Sequence, residues 1–146
     1  MGFAQPKTMM ANGTIIRCQF VKLDPTANHK VIACAAVNDF IFGISGDEAR
    51  TAPTPDIGIN PYQVAQAGEP VDVHPNTAEC LLQIDSTSTG VKAGDRLTST
   101  AGGYGITNPR TGHPPHIGAI ALTAANASEL ALVQVCIFDT SNTTYT

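Results

Sequence analysis

The sequence contains no tryptophan, and only 14% of its 146 residues are charged. No run of basic residues occurs anywhere in it. Binding to a nucleic acid normally requires clustered Lys and Arg, because these residues neutralise the phosphates. The formal net charge of −4 points in the same direction. We therefore expect no nucleic acid and no anionic membrane surface among the partners of this protein.

Long apolar segments are also missing. No run approaches the roughly 20 residues that cross a bilayer as a helix. Residues 1–13 hold no apolar stretch of the kind found in signal peptides. These two absences predict a protein that folds in the cytosol of the cell that makes it, without a membrane partner.

Cysteine is scarce, and no C-x-x-C motif occurs. Cys18, Cys34 and Cys136 lie within apolar, strand-like patterns, and Cys80 opens the apolar run 80–84. Such surroundings predict small buried side chains rather than metal ligands or redox centres. The spacing leaves a disulfide between neighbouring strands open.

Glycine, proline, threonine and valine are frequent, which is typical of β structure and unlike a helical bundle. One order of strand-like segments occurs twice: strand, turn, strand, short loop, and a strand containing glycine. A further alternating strand follows each set. The first set comprises Phe20–Leu23, 31–34 and 40–45, followed by 70–73; the second comprises Arg96–Ser99, 104–107 and 116–121, followed by 131–137.

This duplication predicts an all-β fold, a single small domain of the β-barrel or β-tulip type over residues 13–138. The pseudo-repeat covers about 20–73 and 96–137. Residues 1–12 show no period, which predicts an extended N-terminal arm, and residues 139–146 predict a polar C-terminal tail.

Three segments carry more specific predictions. Residues 13–23 are rich in β formers and predict one strand. Residues 79–84 predict a buried strand or a helical turn, and the Ala- and Leu-rich residues 119–132 hold at most one short helix. Gly43 and Gly118 occupy matching places in the two sets, which predicts a shared bend where backbones approach closely.

No catalytic motif lies on this framework. His113 and His116 flank two prolines, which would place them about 9 Å apart in a polyproline segment, too far for one metal ion. The glycines at 101–105 are followed by a strand pattern rather than by the helix of a phosphate-binding loop. We therefore predict no metal, no cofactor and no enzymatic activity.

The order of several short segments resembles the head decoration, or capsid cement, proteins of tailed bacteriophages, including cyanophage-type ones. The segments that carry the likeness are residues 20–23, 42–45, 67–71, 78–84, 91–97, 117–122 and 132–138. The resemblance implies a small β-barrel protein, often trimeric, that sits on the outer face of the virion capsid and bridges capsomers. It implies the major capsid protein and further copies of this chain as partners, and it implies no catalytic residues.

Contacts in such an assembly would involve apolar or stiff residues in aperiodic segments. We predict them in the arm and in the proline-rich loop over residues 51–63, where proline reduces the entropy lost on ordering. The candidate contact residues are Phe3, Met9, Met10, Pro53, Pro55, Ile57, Pro61 and Tyr62.

Two other classes stay open. A carbohydrate-binding β module would stack sugars on exposed aromatic rings, for which the chain offers only Tyr62, Tyr104 and Tyr145. A small hydrolase would need a cleft in which histidines and carboxylates converge.

Overall fold

A computed structural model describes residues 5–36, 39–46, 63–108 and 116–138. Over these residues the chain is all β, as predicted, with no helix, and hence with none that could cross a membrane. The strands are β1 (Lys7–Ala11), β2 (Ile15–Ile16), β3 (Phe20–Leu23), β4 (Lys30–Ala33), β5 (Gly43–Ser45), β6 (Gln63–Ala65), β7 (Pro70–His74), β8 (Glu79–Gln83), β9 (Arg96–Ser99), β10 (Gly105–Thr107), β11 (Ile117–Ala121) and β12 (Leu130–Phe138).

The first half of the chain closes into a five-stranded barrel in the order β1-β4-β3-β5-β7. Strand β1 closes it by pairing antiparallel with β7 and parallel with β4. Alternation sends every second side chain inward. The interior therefore holds one apolar cluster: Met9, Ala11, Ile15, Val21, Val31, Ala65, Val71 and Val73, with Phe42 and Val64 packed against it.

The second half repeats this order as β10-β9-β11-β12-β8, so that β8 takes the place of β1. A parallel bridge joins Ile84 to Gly105 where Ala11 pairs with Val31 in the first half. The next residue makes the same hydrogen bond in both halves. The amide of Asp85 donates to the carbonyl of Gly105 at 2.9 Å, as the amide of Asn12 donates to that of Val31 at 2.9 Å. The duplication therefore begins one strand earlier in each half than the predicted repeat.

The equivalence extends to residues in the left-handed backbone region, which L-amino acids rarely adopt. Strand registers fix these equivalences. Of the eight left-handed residues in the described part of the chain, six form three equivalent pairs, and Thr77 and Gly90 stand outside them. The pairs are Cys18 (φ 55°) with Gly94 (φ 90°), His29 (φ 59°) with Gly103 (φ 78°), and Gly68 (φ 86°) with Ser128 (φ 65°).

Side-chain volumes compensate between equivalent positions inside the two halves. The first barrel holds a small residue at Ala11 and a larger one at Val31, whereas the second half holds Ile84 and Gly105 in those places. A Cβ on Gly105 would lie 2.6 Å from Cδ2 of Leu82. The glycine is thus a packing requirement of the larger neighbours.

The N-terminal arm prediction is wrong for Lys7–Ala11, which is strand β1 of the barrel. Only Met9 and Ala11 of this strand are buried, so the local sequence carries almost no alternation signal. Its pairing partners lie far along the chain. Long-range pairing, rather than local propensity, makes this segment a strand.

Two further predictions need correction. Residues 13–23 form two strands, because the backbone turns between them at Cys18 in the left-handed region. Gly43 and Gly118 both mark close approaches, to the carbonyl of His74 and to Ile41 respectively. They are not equivalent, however, since the register aligns Gly43 with Ala119.

The two segments for which a helix was open are also resolved by the structure. Residues 79–84 contain strand β8, and residues 119–132 contain strands and turns.

The two halves are joined by the segment between β2 and β3. The carbonyl of Cys18 accepts a hydrogen bond from the amide of Gln83 at 2.9 Å, and the amide of Phe20 donates to the carbonyl of Gly103 at 2.8 Å. The buried side chain of Gln19 lies between these bonds and donates to the carbonyl of Gly102 at 2.6 Å. Main-chain groups of one half are therefore satisfied by the other.

An apolar cluster continues this joint. Phe20, Cys34, Ile41 and Ile44 of the first half belong to the same buried cluster as Leu82, Leu97 and Val133 of the second half. Gly118 makes room for it, since a Cβ there would lie 2.7 Å from the ring of Phe20. The interface between the halves is thus core, not a surface contact.

The packing account predicts that Gly105→Ala lowers the free energy of unfolding by about 1–3 kcal/mol, because the new methyl group overlaps Leu82. Leu82→Ala alone should cost about 2–5 kcal/mol. The double variant should cost clearly less than the sum, since each change relieves the other. Urea unfolding of the four proteins measures this coupling.

The control combines Gly13→Ala with Leu82→Ala, because a Cβ at Gly13 would meet no atom within 4 Å. The two effects in this control should add. Additive effects of Gly105→Ala and Leu82→Ala would contradict the packing account.

The joint predicts a second result. Gln19→Ala should lower the free energy of unfolding by about 1–3 kcal/mol, because the amide of Ile16 and the carbonyl of Gly102 lose their side-chain partner. Gln134→Ala, at an exposed position on β12, should stay within about 0.5 kcal/mol of the unmodified protein. Equal stabilities of the two variants in urea would show that Gln19 does not hold the joint.

Candidate interaction surfaces

The surroundings of the described histidines and cysteines bear on metal binding and thiol reactivity. Among the described residues no group of three or more His, Cys, Asp and Glu could hold a metal ion. Burial, together with the charge of Asp39, raises the pKa of Cys34 to about 12, so its thiol stays protonated at neutral pH. His116 contacts Phe40 edge to face with ring centroids 5.3 Å apart, and His113 lies outside the described residues.

Most of the described carboxylates that accept hydrogen bonds do so within turns. The side chains of Glu69, Asp95 and Glu129 each accept a hydrogen bond from the amide three residues earlier, at 3.0, 2.8 and 2.9 Å. In each turn the acidic residue's own amide donates back to the carbonyl of that earlier residue. These carboxylates therefore fix the backbone of tight turns.

An open groove of about 650 Å³ lies beside two of these turns. Its polar lining includes Lys92, Asp95, Thr107, Asn126 and Glu129. Both carboxylates are already engaged by backbone amides. No aromatic residue lines the groove, so it offers no platform on which a sugar ring could stack.

One sheet face of the second half carries exposed leucines. Leu81 and Leu132 face each other across β8 and β12, and the amide of Leu122 donates to the carbonyl of Leu132 at 2.8 Å. Leu122 is 37% exposed and Leu132 is 36% exposed. We call Leu81, Leu122 and Leu132 the leucine patch.

The equivalent face of the first half is polar. Thr8 and Asp72 stand in the places of Leu81 and Leu132, and the Thr8 hydroxyl donates to the Asp72 carboxylate at 3.0 Å. Gly46, in the place of Leu122, donates its amide to the carbonyl of Asp72 at 2.9 Å. The fold alone therefore does not require leucines at this face, which makes the patch a candidate contact surface.

The structure places only part of the predicted contact set. Met9 is buried in the first barrel, so it cannot be a contact residue as predicted. Met10, next to it on β1, is 41% exposed and stays a candidate. The remaining predicted contacts lie outside the described residues: Phe3, Pro53, Pro55, Ile57, Pro61 and Tyr62. Sequence reasoning missed the leucine patch, because its three members are distant in the chain and meet only through strand pairing.

A second exposed apolar set lies on the first half. Leu23 is 49% exposed at the end of β3 and Phe40 is 54% exposed beside β5. Lys22, one residue before Leu23, pairs with Asp39 at 2.8 Å, and both side chains are largely covered. The ion pair ties β3 to the loop before Phe40.

The described residues thus form two halves with the same strand order, the first of them a closed barrel, and both halves carry exposed apolar side chains. No known family model matches the sequence, and no curated protein matches it. Among solved structures, the chain is similar to the head fiber gp8.5 N base of bacteriophage phi29, with a TM-score of 0.59 and 13% sequence identity. The likeness covers 92% of this chain and 97% of that one, so it includes both halves.

The carboxylates predict an acid response. Burial by itself would raise the pKa of Asp39, but the hydrogen bonds from Lys22 and from the amide of Ala35 lower it overall. Hydrogen bonds from Thr87 lower the pKa of Asp85. A lowered folded-state pKa contributes stability above the unfolded value of about 3.9, and this stability is lost as the pH falls through the folded value.

Stability should therefore hold from neutral pH down to about pH 5 and fall steeply below pH 4. Asp39→Asn should be less stable than the unmodified protein at pH 7 and should lose less stability between pH 5 and pH 2. Urea midpoints across this range measure the effect, with Lys22→Met as the companion that removes the other half of the ion pair. An unchanged acid slope in Asp39→Asn would contradict the assigned cause.

Proposed function

We propose that this chain is a structural protein of a tailed-bacteriophage head, a decoration protein bound to the outer surface of the capsid. The observation that carries the proposal is the likeness to the phi29 head fiber base over nearly the whole of both chains. If the two proteins shared only one barrel, the likeness would cover one half of this chain. The likeness instead covers both halves, so the duplicated arrangement supports a structural role.

The surface chemistry supports a contact role. The described residues carry no cluster suited to metal binding, and the groove that is present has its carboxylates occupied. Apolar side chains are exposed where the pseudo-symmetric position is polar. Exposed apolar faces of this kind mark protein contacts. We assign the leucine patch to the contact with the major capsid protein.

A decoration protein stabilises a head by bridging capsomers, and weak contacts suffice when several act together. We propose a homotrimer, in which three leucine patches engage neighbouring capsid subunits at once. The chain is then a cement, and it has no enzymatic activity.

Binding to heads lacking this protein tests the proposal. Purified protein should co-sediment with heads from a phage deleted for its gene, and the loaded heads should release DNA at a higher temperature. Leu132→Asp should reduce occupancy at least tenfold without unfolding the chain, because a charge at the patch must be desolvated on contact.

The control is Ser86→Asp, which adds the same charge at an exposed turn and should leave occupancy unchanged. Absence of co-sedimentation for the unmodified protein would contradict the decoration role. If the Leu132→Asp variant binds heads as fully as the unmodified protein, the leucine patch is not the capsid contact. If the unmodified protein binds a glycan array and does not bind heads, the carbohydrate-binding class is favoured instead.

A further inference from the structure

The contact between the two halves joins unlike surfaces. The first half contributes Cys18, Gln19 and Phe20, with Cys34 beside them; we call this its front surface. The second half contributes Gln83, Ser99, Gly102 and Gly103; we call this its back surface. Hydrogen bonds link Cys18 to Gln83, Phe20 to Gly103 and Gln19 to Gly102, and the Cys34 thiol is hydrogen-bonded to Ser99.

Each half has the counterparts of both surfaces, because the two halves share strand order and register. The front of the second half consists of Gly94, Asp95, Arg96 and Asn108. The back of the first half consists of Met10, Leu23, Asn28 and His29. These assignments follow from the registers of β1 and β8 with β7 and β12, and of β3 and β9 with β4 and β10.

A contact between unlike surfaces leaves one surface of each kind without a partner surface among the described residues of one chain. The back surface of the first half is open at all four residues, and it combines the polar Asn28 and His29 with the apolar Met10 and Leu23. Met10 is 41% exposed and Leu23 is 49% exposed, two of the large hydrophobic side chains that this structure leaves in solvent. Their counterparts Gln83 and Ser99 are the residues that the first half covers within the chain.

The front surface of the second half is accessible at three of its four residues. Gly94 and Arg96 are exposed and Asp95 is half-buried, whereas Asn108 is buried. Asp95 stands in the place of Gln19, whose amide reaches the carbonyl of Gly102. The counterpart of Gly102 is Asn28, whose side chain can donate a hydrogen bond to a carboxylate. Oδ2 of Asp95 already accepts hydrogen bonds from the amide of Lys92 and the hydroxyl of Thr107, so Oδ1 is the oxygen that would accept from Asn28. Donor and acceptor are then exchanged relative to Gln19 and Gly102, and the pair stays complementary.

We propose that copies of this chain associate head to tail, with the front surface of the second half seated on the back surface of the first half of the next copy. The contact repeats between chains the one that already joins the halves within a chain. In this arrangement a second copy of this chain covers the exposed side chains of Met10 and Leu23. The inference does not depend on binding to a phage head.

Such a contact either closes into a ring or continues as a filament, because it uses a different surface on each partner. In the proposed trimer, three chains would form a ring of six barrel halves in which every junction is of the same kind. A two-fold dimer would instead pair a surface with itself.

Cysteine cross-linking separates these arrangements. Asp95→Cys and Asn28→Cys are made as separate proteins, both carrying Cys136→Ser to remove the half-exposed native thiol. After mild oxidation, an equimolar mixture should give a disulfide-linked dimer on a non-reducing gel. Each variant oxidised alone should stay largely monomeric on the gel.

Molar mass by light scattering supplies the second measurement. Leu23→Asp should weaken association at least tenfold, whereas Leu132→Asp, an equal change at the leucine patch, should keep the mass of the unmodified protein. The proposal is overturned if the unmodified protein is monomeric at about 100 μM, if the mixture gives no cross-link, or if Asp95→Cys links to itself as readily as to Asn28→Cys. Loss of head binding with an intact oligomer would overturn the proposed function alone.

Discussion

The structure depends on the segment that passes from β2 into β3 across the two halves of the chain. Its main-chain groups at Cys18 and Phe20 are satisfied by Gln83 and Gly103, on the far side of the joint. The side chain of Gln19 is buried between them, where an unmet hydrogen bond would be costly. The two halves complete each other's hydrogen bonding and share one core, so the contact between them is part of the folded interior.

Duplication explains why the sequence departs from expectation at particular positions. Cys18, His29 and Ser128 adopt left-handed backbone angles that usually favour glycine, and each has a glycine counterpart in the other half. The turn geometry therefore belongs to the repeated fold, and different side chains occupy it in the two halves. Equivalent strand positions also differ, since the hydrogen-bonded Thr8 and Asp72 of the first half correspond to Leu81 and Leu132 of the second, which gives the two halves different surfaces.

The sequence predicts the all-β class and most strands, because alternation and turn residues are local signals. Pro70–His74 alternates cleanly, and the tight turns before Glu69 and Asp95 are read from their glycines. It does not predict β1, whose identity as a strand depends on partners about twenty and sixty residues away. The candidate surfaces were unpredictable for the same reason: Leu81, Leu122 and Leu132 become neighbours only through strand register.

The proposed head role and the proposed ring both require many copies in a regular arrangement, so an image of the assembled particle tests them together. Electron cryomicroscopy of heads carrying the bound protein tests the account most directly. We expect a closed ring of barrel halves on the outer capsid face, with the leucine patch toward the major capsid protein and Leu23 covered by the next copy. Heads without added density, or density from isolated chains whose Leu23 faces solvent, would contradict it.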